Sequence, residues 1–200
     1  MIIIQASLGR CGSTLLTNHI RKSKGISQTF IPRIGGKVLK ENTIIKTHDF
    51  APEGFKLTSH DIKCIYLFAD PYEIVLSNYD KYLDGKKRNK TNGLNTHFYH
   101  LNGDYNKVDL MLKEDVMNLE KNFDSWYKKN SYPVLTIRYK KMWDNIDKIN
   151  EYLGTSIVLP EYKKRKDYWK LLSENEINVF KETYRKLYEK IENAEDIKLW

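Results

Sequence analysis

The sequence contains few of the features that mark secreted, metal-binding or membrane proteins. Only two of its 200 residues are cysteines, Cys11 and Cys64, and they form no CxxC pair. Neither a disulfide framework nor a zinc site is therefore expected. No apolar run approaches the roughly 18 residues that a transmembrane helix needs, and the apolar start Met1–Gln5 is too short for a signal peptide. We expect a cytoplasmic protein without bound metal or membrane contact.

Positive charge is what the sequence has in excess. The formal net charge is +8 and the isoelectric point is near 9.2, so the surface attracts anions such as nucleotides, sulfated sugars or nucleic acid. The charges are dispersed, which equally fits an ordinary solvated surface. No zinc finger or RNA-recognition motif is present, and nucleic acid is not an expected partner. Without repeats or a linker, residues 1–200 are predicted to form one domain.

Strand and helix signals alternate along the chain. Apolar, β-branched runs predict strands at Ile2–Ala6, Thr43–Lys46, Ile62–Phe68 and Pro133–Arg138. Helical spacing predicts helices at Thr14–Lys22, Leu110–Lys129 and Trp143–Tyr152, and after the N-cap candidates Asp70 and Ser173. Loops are predicted at Lys86–Lys107 and Leu159–Lys170. This alternation is typical of an α/β fold with three layers, a central parallel sheet with helices on both faces.

Glycines and hydroxyl residues follow the first predicted strand. The segment Ser7-Leu8-Gly9-Arg10-Cys11-Gly12-Ser13-Thr14 leads into a helix, which is the layout of a phosphate-binding loop. Its backbone N–H groups, the hydroxyls of Ser13 and Thr14 and the guanidinium of Arg10 can all face one anion. Gly12 stands where a Walker A loop has its lysine. A group resembling a mono- or diphosphate is therefore favoured over a triphosphate with magnesium.

A lysine and a histidine stand at the end of the second predicted strand, in Ile44-Ile45-Lys46-Thr47-His48. Ligands bind beyond the carboxyl ends of parallel strands, so Lys46 and His48 lie near the phosphate loop if the two strands are neighbours. A histidine with a pKa near neutrality can take a proton from an acceptor hydroxyl. By itself, a histidine such as His48 is more often an ordinary surface or hydrogen-bonded residue, and Ser77 has no specificity of its own.

In their order, these segments resemble the sulfotransferase superfamily. The family's loop [KR]-S-G-[ST]-T compares with Arg10–Thr14, and its Lys-Thr-His strand end is matched by Lys46–His48. The family's R-[DN]-P turn and following helical serine compare with Asp70-Pro71 and Ser77. Later family features occur in the same order, at Arg138-Tyr139, at Tyr152-Leu153-Gly154, and in a basic loop with Lys163–Lys166 and Trp169.

The resemblance implies a sulfotransferase with a P-loop-like fold. Its sulfuryl donor would be 3′-phosphoadenosine 5′-phosphosulfate (PAPS), and its acceptor a hydroxyl group of a carbohydrate or small molecule. His48 would take the acceptor's proton, while Arg10 and Lys46 would stabilise charge on the transferred group. The residues implied to bind the donor are Gly9, Arg10, Cys11, Gly12, Ser13, Thr14, Ser77 and Tyr139. No protein-bound metal is implied.

One departure from the family pattern keeps alternatives open. The arginine expected eight residues before Ser77 is Ala69 here, which removes one ligand for the donor's 3′-phosphate. Arg138 and the basic loop are the candidates to replace it. A non-catalytic module that binds a nucleotide or polyanion is therefore an alternative to the enzyme. A phosphoryl-transfer enzyme with a degenerate phosphate loop is another, and magnesium-dependent ATP binding would support it.

Overall fold

A six-stranded sheet forms the centre of the computed structural model, which describes residues 1–55, 61–88 and 93–200. Its strands are β1 (Ile2–Ser7), β2 (Ser27–Phe30), β3 (Thr43–Thr47), β4 (Ile62–Phe68), β5 (Val134–Arg138) and β6 (Ile197–Leu199). They lie side by side in the order β2-β3-β1-β4-β5-β6. Every neighbouring pair is parallel except β5 and β6. The predicted α/β class is confirmed, with one antiparallel strand added at the edge.

Helices cover the sheet. The α-helices of the described residues are α1 (Ser13–Lys24), α2 (Pro71–Lys87), α3 (Leu94–His100), α4 (Leu119–Trp126), α5 (Ile146–Leu153) and α6 (Glu174–Glu192). All six residues of β1 are buried. Because successive side chains of a strand point to opposite faces, both faces of the sheet are covered, as a three-layer fold requires. Over the described ranges, no helix is long and apolar enough to cross a membrane.

The predicted capping residues set several helix boundaries. Asp70 caps α2, accepting a hydrogen bond from the backbone N–H of Tyr72 at 2.8 Å. Ser173 and Glu176 form a reciprocal capping box at the start of α6. Gly154 ends α5 with a φ of 64°, a conformation that glycine adopts without a Cβ clash. These local signals are why the predicted starts of α2 and α6 and the predicted end of α5 lie close to the observed ones.

Two segments have a different secondary structure from the one predicted. The predicted loop Lys86–Lys107 contains the end of α2, all of α3 and the start of a 3₁₀ helix, and its residues 89–92 lie outside the described residues. The predicted helix Leu110–Lys129 shortens to α4, because Asn118 at its N-cap has a left-handed φ of 53°. A helix cannot continue through such a residue.

The sheet places three strand ends next to one another. β1 lies between β3 and β4, with Ala6 in register with Thr47 and Ser7 in register with Leu67. The loop after β1, the His48 segment after β3 and the start of α2 after β4 therefore emerge at one edge of the sheet. Lys46 and His48 were expected near the phosphate loop if β1 and β3 are neighbours, and the two strands do pair with each other.

Candidate functional site

The loop between β1 and α1 is built from left-handed residues. Gly9, Arg10 and Gly12 have φ values of 80°, 52° and 70°, a region that costs little only for glycine. Gly12 is the N-cap of α1 and provides no side-chain cap, so the N–H groups of the first helical turn remain open to a ligand. Cys11 is buried, and burial raises the pKa of its thiol to about 12. The thiol therefore stays protonated at neutral pH.

Gly12 is required by packing as well as by its backbone conformation. An added Cβ would lie 2.3 Å from Cε2 of Tyr139. Gly36 has a similar φ of 71°, yet nothing lies within 4 Å of its added Cβ. We expect Gly12→Ala to lower the free energy of unfolding by about 2 kcal/mol more than Gly36→Ala, because only the first displaces a packed ring. Urea denaturation measures the difference, and equal losses would contradict this packing role.

A cavity of about 370 Å³ opens at the edge of the sheet where the loop lies. Seven of the predicted site residues line it together, namely Arg10, Gly12, Ser13, Thr14, Lys46, His48 and Ser77. Gly9, Cys11 and Tyr139, which were also expected to bind the donor, are not among the residues that line the cavity. Cys11 Sγ donates to the Gly9 carbonyl at 2.7 Å, and Tyr139 packs against Gly12.

Two cations at the cavity have only neutral side-chain partners. Lys46 Nζ donates to Thr14 Oγ1 at 2.7 Å, and Arg10 Nε donates to Ser77 Oγ at 3.0 Å. Neither cation forms a salt bridge with a carboxylate among residues 1–55, 61–88 and 93–200. Burial lowers the pKa of Lys46. Positive charges that share a cavity and lack a counterion favour the binding of an anion there.

The end of β1 orients His48. Its Nδ1 lies 3.0 Å from the carbonyl oxygen of Ser7 and 2.9 Å from Ser7 Oγ. Since a carbonyl oxygen can only accept, Nδ1 carries the hydrogen and Nε2 has a free lone pair. Burial lowers the pKa of His48 to about 4; the bond to Ser7 opposes this shift, while Lys46 and His100 add to it. At neutral pH the imidazole is therefore neutral and able to accept a proton.

A buried hydrogen-bond network holds the backbone at His48. Asn122 of α4 is fully buried, and its Nδ2 donates to the carbonyls of His48 at 2.9 Å and of Asp49 at 3.2 Å. Asn122 Oδ1 accepts from the hydroxyl of Tyr66 at 3.0 Å. Trp126 Nε1 also donates to the Asp49 carbonyl, at 2.8 Å. His48 is thus fixed from Ser7 on one side and from α4 on the other.

Arg165 reaches the cavity from the predicted basic loop. Its guanidinium donates to the Arg10 carbonyl, lies 4.8 Å from the centre of the Tyr139 ring and pairs with Glu73 at 3.3 Å. Glu73 also pairs with Lys140 at 2.8 Å. Although Glu73 stands three residues after the N-cap Asp70, it pairs with these cations and forms no capping box at the start of α2. Arg165 instead connects the phosphate loop to the first turn of α2.

Arg138 does not reach the cavity. Its guanidinium donates to Asp196 at 2.7 Å, to Glu192 at 3.0 Å and to three backbone carbonyls near the end of α6. These partners all lie in residues 191–196 and Arg138 does not line the cavity, so it does not replace the arginine expected at position 69. Ala69 itself is buried in the core. Of the two candidates for that replacement, the basic loop with Arg165 is the one that lies at the cavity.

A second cavity of about 650 Å³ adjoins the first. Arg165 and Tyr168 line both cavities. Other walls of the second cavity include the side chains of Leu76, Tyr162 and Trp169. Aromatic and aliphatic walls beside an anion site accommodate a flat, largely apolar group that is attached to the anion.

Sequence reasoning missed two residues that line the first cavity, His97 and Tyr168. His97 lies on α3, in a segment expected to be a loop, and Tyr168 follows the basic run. The pair His97 and His100 is spaced three apart among Leu94, Phe98 and Leu101, which is helical spacing that could have placed both histidines on one surface.

Comparison with known proteins adds to this geometry. No protein-family model matches the sequence, and no curated protein matches it in sequence. The structure is similar to the crystal structure of mouse sulfotransferase SULT7A1 complexed with PAP, with a TM-score of 0.54 and 16% sequence identity. The similarity covers 96% of this chain and 88% of that chain. The chain has the sulfotransferase fold. A fold does not determine the reaction, which depends on the residues of the site.

Proposed function

We propose that the protein transfers the sulfuryl group of PAPS to a hydroxyl group of a carbohydrate or small molecule. The position of His48 carries this proposal. A neutral imidazole with a free Nε2 lines the same cavity as Arg10 and Lys46, whose charges have no carboxylate partner in the described part of the chain. Sulfuryl transfer to a hydroxyl needs both an anion site and a proton acceptor. The sulfotransferase fold, and the PAP bound in the mouse protein, support a nucleotide donor.

The loop and the two cavities match the parts of such a donor. The open N–H groups at the start of α1, with the hydroxyls of Ser13 and Thr14, would hold the oxygens of the 5′-phosphosulfate. The second cavity, with Tyr162 and Trp169 in its wall, would accept the purine base. Arg165 lies between the two cavities and would pair with a phosphate group.

In the transfer, His48 would act as the base, and Arg10 and Lys46 would stabilise negative charge. His48 Nε2 takes the proton of the acceptor hydroxyl while that oxygen bonds to sulfur and the bond between sulfur and the 5′-phosphate oxygen breaks. The electron pair of the broken bond remains on the phosphate oxygen. Arg10 and Lys46 stabilise the negative charge on that oxygen and on the sulfuryl oxygens. The products are the sulfated acceptor and PAP.

Calorimetric titration with PAP tests the donor site. We expect the wild-type protein to bind PAP with a Kd in the micromolar range, and Arg10→Ala to weaken binding by about tenfold to a hundredfold. The reason is that Arg10 is a cation at the cavity without a carboxylate partner in the described part of the chain. Arg185→Ala is the matched control, because Arg185 is exposed on α6 and pairs with Glu182 at 3.1 Å. That variant is expected to keep the wild-type Kd.

The same titration with ATP and magnesium separates the alternatives. Tighter binding of ATP with magnesium than of PAP would overturn the proposal in favour of a phosphoryl-transfer enzyme. No binding of either nucleotide at millimolar concentration would also overturn it. Ala69 would then be the natural reason, and a non-catalytic module for polyanions would be favoured.

A further inference from the structure

His97 lies at the cavity but has no part in the transfer as described. Its ring is edge-on to that of His48, with ring centroids 5.3 Å apart and an interplanar angle of 76°. Its Nε2 is buried and has no hydrogen-bond partner among the residues that the structure describes. Leaving a buried polar atom unpaired destabilises the folded state. An unpaired nitrogen next to the proposed base therefore points to a partner that the described part of the chain does not supply.

The unpaired nitrogen lies against the phosphate loop. An added Cβ on Gly9 would be 2.9 Å from Nε2 of His97 and 3.0 Å from its Cε1. Only the missing side chain at Gly9 allows this approach. His97 thus contacts the loop on one side and His48 on the other. Because His48 and His97 line the same cavity, a molecule bound there beside His48 lies next to His97.

The surroundings of His97 select the kind of group that it can bind. Burial lowers its pKa well below the usual value, and the neighbouring basic groups of His48, Arg10, Lys81 and His100 act in the same direction. A neutral imidazole contributes little to holding sulfuryl oxygens, which cations stabilise better. It can, however, donate to or accept from a hydroxyl group. The unpaired nitrogen therefore suits a neutral hydroxyl.

We propose that His97 positions the acceptor by hydrogen-bonding a second hydroxyl beside the one that is sulfated, an inference that rests on the proposed function. Two imidazoles with ring centroids 5.3 Å apart suit hydroxyls on neighbouring carbon atoms. The acceptor class is then a vicinal diol, as in a sugar or polyol. His97 is a positioning residue that sets specificity, and alcohols with a single hydroxyl are poor acceptors.

Two acceptors that differ by one hydroxyl, cis-1,2-cyclohexanediol and cyclohexanol, provide the test. Transfer of labelled sulfate from PAPS gives kcat/KM for each. We expect the wild-type protein to favour the diol by about tenfold or more. His97→Leu should bring this ratio close to one through a higher KM for the diol. His97→Gln, whose amide nitrogen can occupy a position near that of Nε2, should restore the preference.

Two controls separate recognition from folding. His97→Leu removes an unpaired buried atom, so we expect its Tm to be no lower than that of the wild-type protein. His19→Leu is the matched substitution. His19 lies on α1, where its Nδ1 is 2.9 Å from the Leu15 carbonyl, and it does not line the cavity. The preference for the diol should stay at the wild-type value in this variant.

PAP calorimetry on the wild-type protein distinguishes failure of this inference from failure of the proposed function. If PAP binds but the diol is not preferred, or His97→Leu keeps the preference, the role of His97 is wrong and the donor site stands. PAP binding without transfer to either alcohol also overturns the role of His97. If PAP does not bind, the proposed function fails and the role of His97 fails with it.

Discussion

Replacing His48 with Asn is expected to lower kcat by about 10²- to 10⁴-fold, the range typical for loss of a general base. The Asn amide can still donate to the Ser7 carbonyl, as Nδ1 of His48 does, but it has no atom that can take a proton in the place of Nε2. The donor site is unchanged, so PAP affinity should stay within about threefold of the wild-type value. Initial rates of labelled sulfate transfer and PAP calorimetry measure the two quantities.

The control for this change is His19→Asn, at a histidine that does not line the cavity. It should keep the wild-type kcat. The pH profile gives a second check on His48, whose pKa burial lowers to about 4. Because the base works only when neutral, kcat/KM should fall as the pH drops through about 4. An unchanged kcat in His48→Asn, or an acidic limb near the ordinary histidine value, would contradict the assignment.

The strands at the centre of the sheet could be predicted from the sequence because each is a buried apolar run. Ile62–Phe68 was predicted with the bounds that β4 has in the structure. Once β1, β3 and β4 are known to be parallel neighbours, general rules place Lys46 and His48 beside the loop. The order of the predicted segments also resembled the sulfotransferase superfamily, and the fold confirms that resemblance.

The two edge strands, β2 and β6, could not be predicted, because they are held by backbone pairing and their sequences show no apolar pattern. All four residues of β2, Ser27–Phe30, are exposed, and β2 exists because its backbone pairs with β3. β6 has three residues and pairs antiparallel with β5 at the end of the chain. Strands this short carry too few side chains to show a period of two.

Which basic residues line the cavity could be decided only from the tertiary structure. Arg138 and the basic loop that holds Arg165 were both candidates to replace the arginine expected at position 69. The sequence around each residue does not show which of them lies at the cavity. The distinction depends on contacts far along the chain, since Arg138 pairs with Asp196 and Arg165 bonds to the Arg10 carbonyl. His97 was missed because a helix of seven residues is too short to stand out by periodicity.

Replacing Asn122 with Ala is expected to lower the free energy of unfolding by about 3 kcal/mol. The side chain is fully buried and makes three hydrogen bonds, to the carbonyls of His48 and Asp49 and from the hydroxyl of Tyr66. The Asp49 carbonyl keeps its bond from Trp126. The His48 carbonyl and the Tyr66 hydroxyl lose the partner that Asn122 supplies. Urea denaturation followed by fluorescence or circular dichroism measures the loss.

Asn106→Ala is the matched control, because Asn106 is exposed and its replacement should change stability by no more than about 0.5 kcal/mol. A loss below about 1 kcal/mol in Asn122→Ala would show that His48 and Tyr66 find other partners, and that α4 does not hold the proposed base. If the loss is as large as expected, kcat measured under conditions where the variant stays folded should also fall, since His48 is then fixed by Ser7 alone. PAP affinity should stay near the wild-type value, because the side-chain hydrogen bonds of Asn122 go to Tyr66, His48 and Asp49 and not to the loop or its cations.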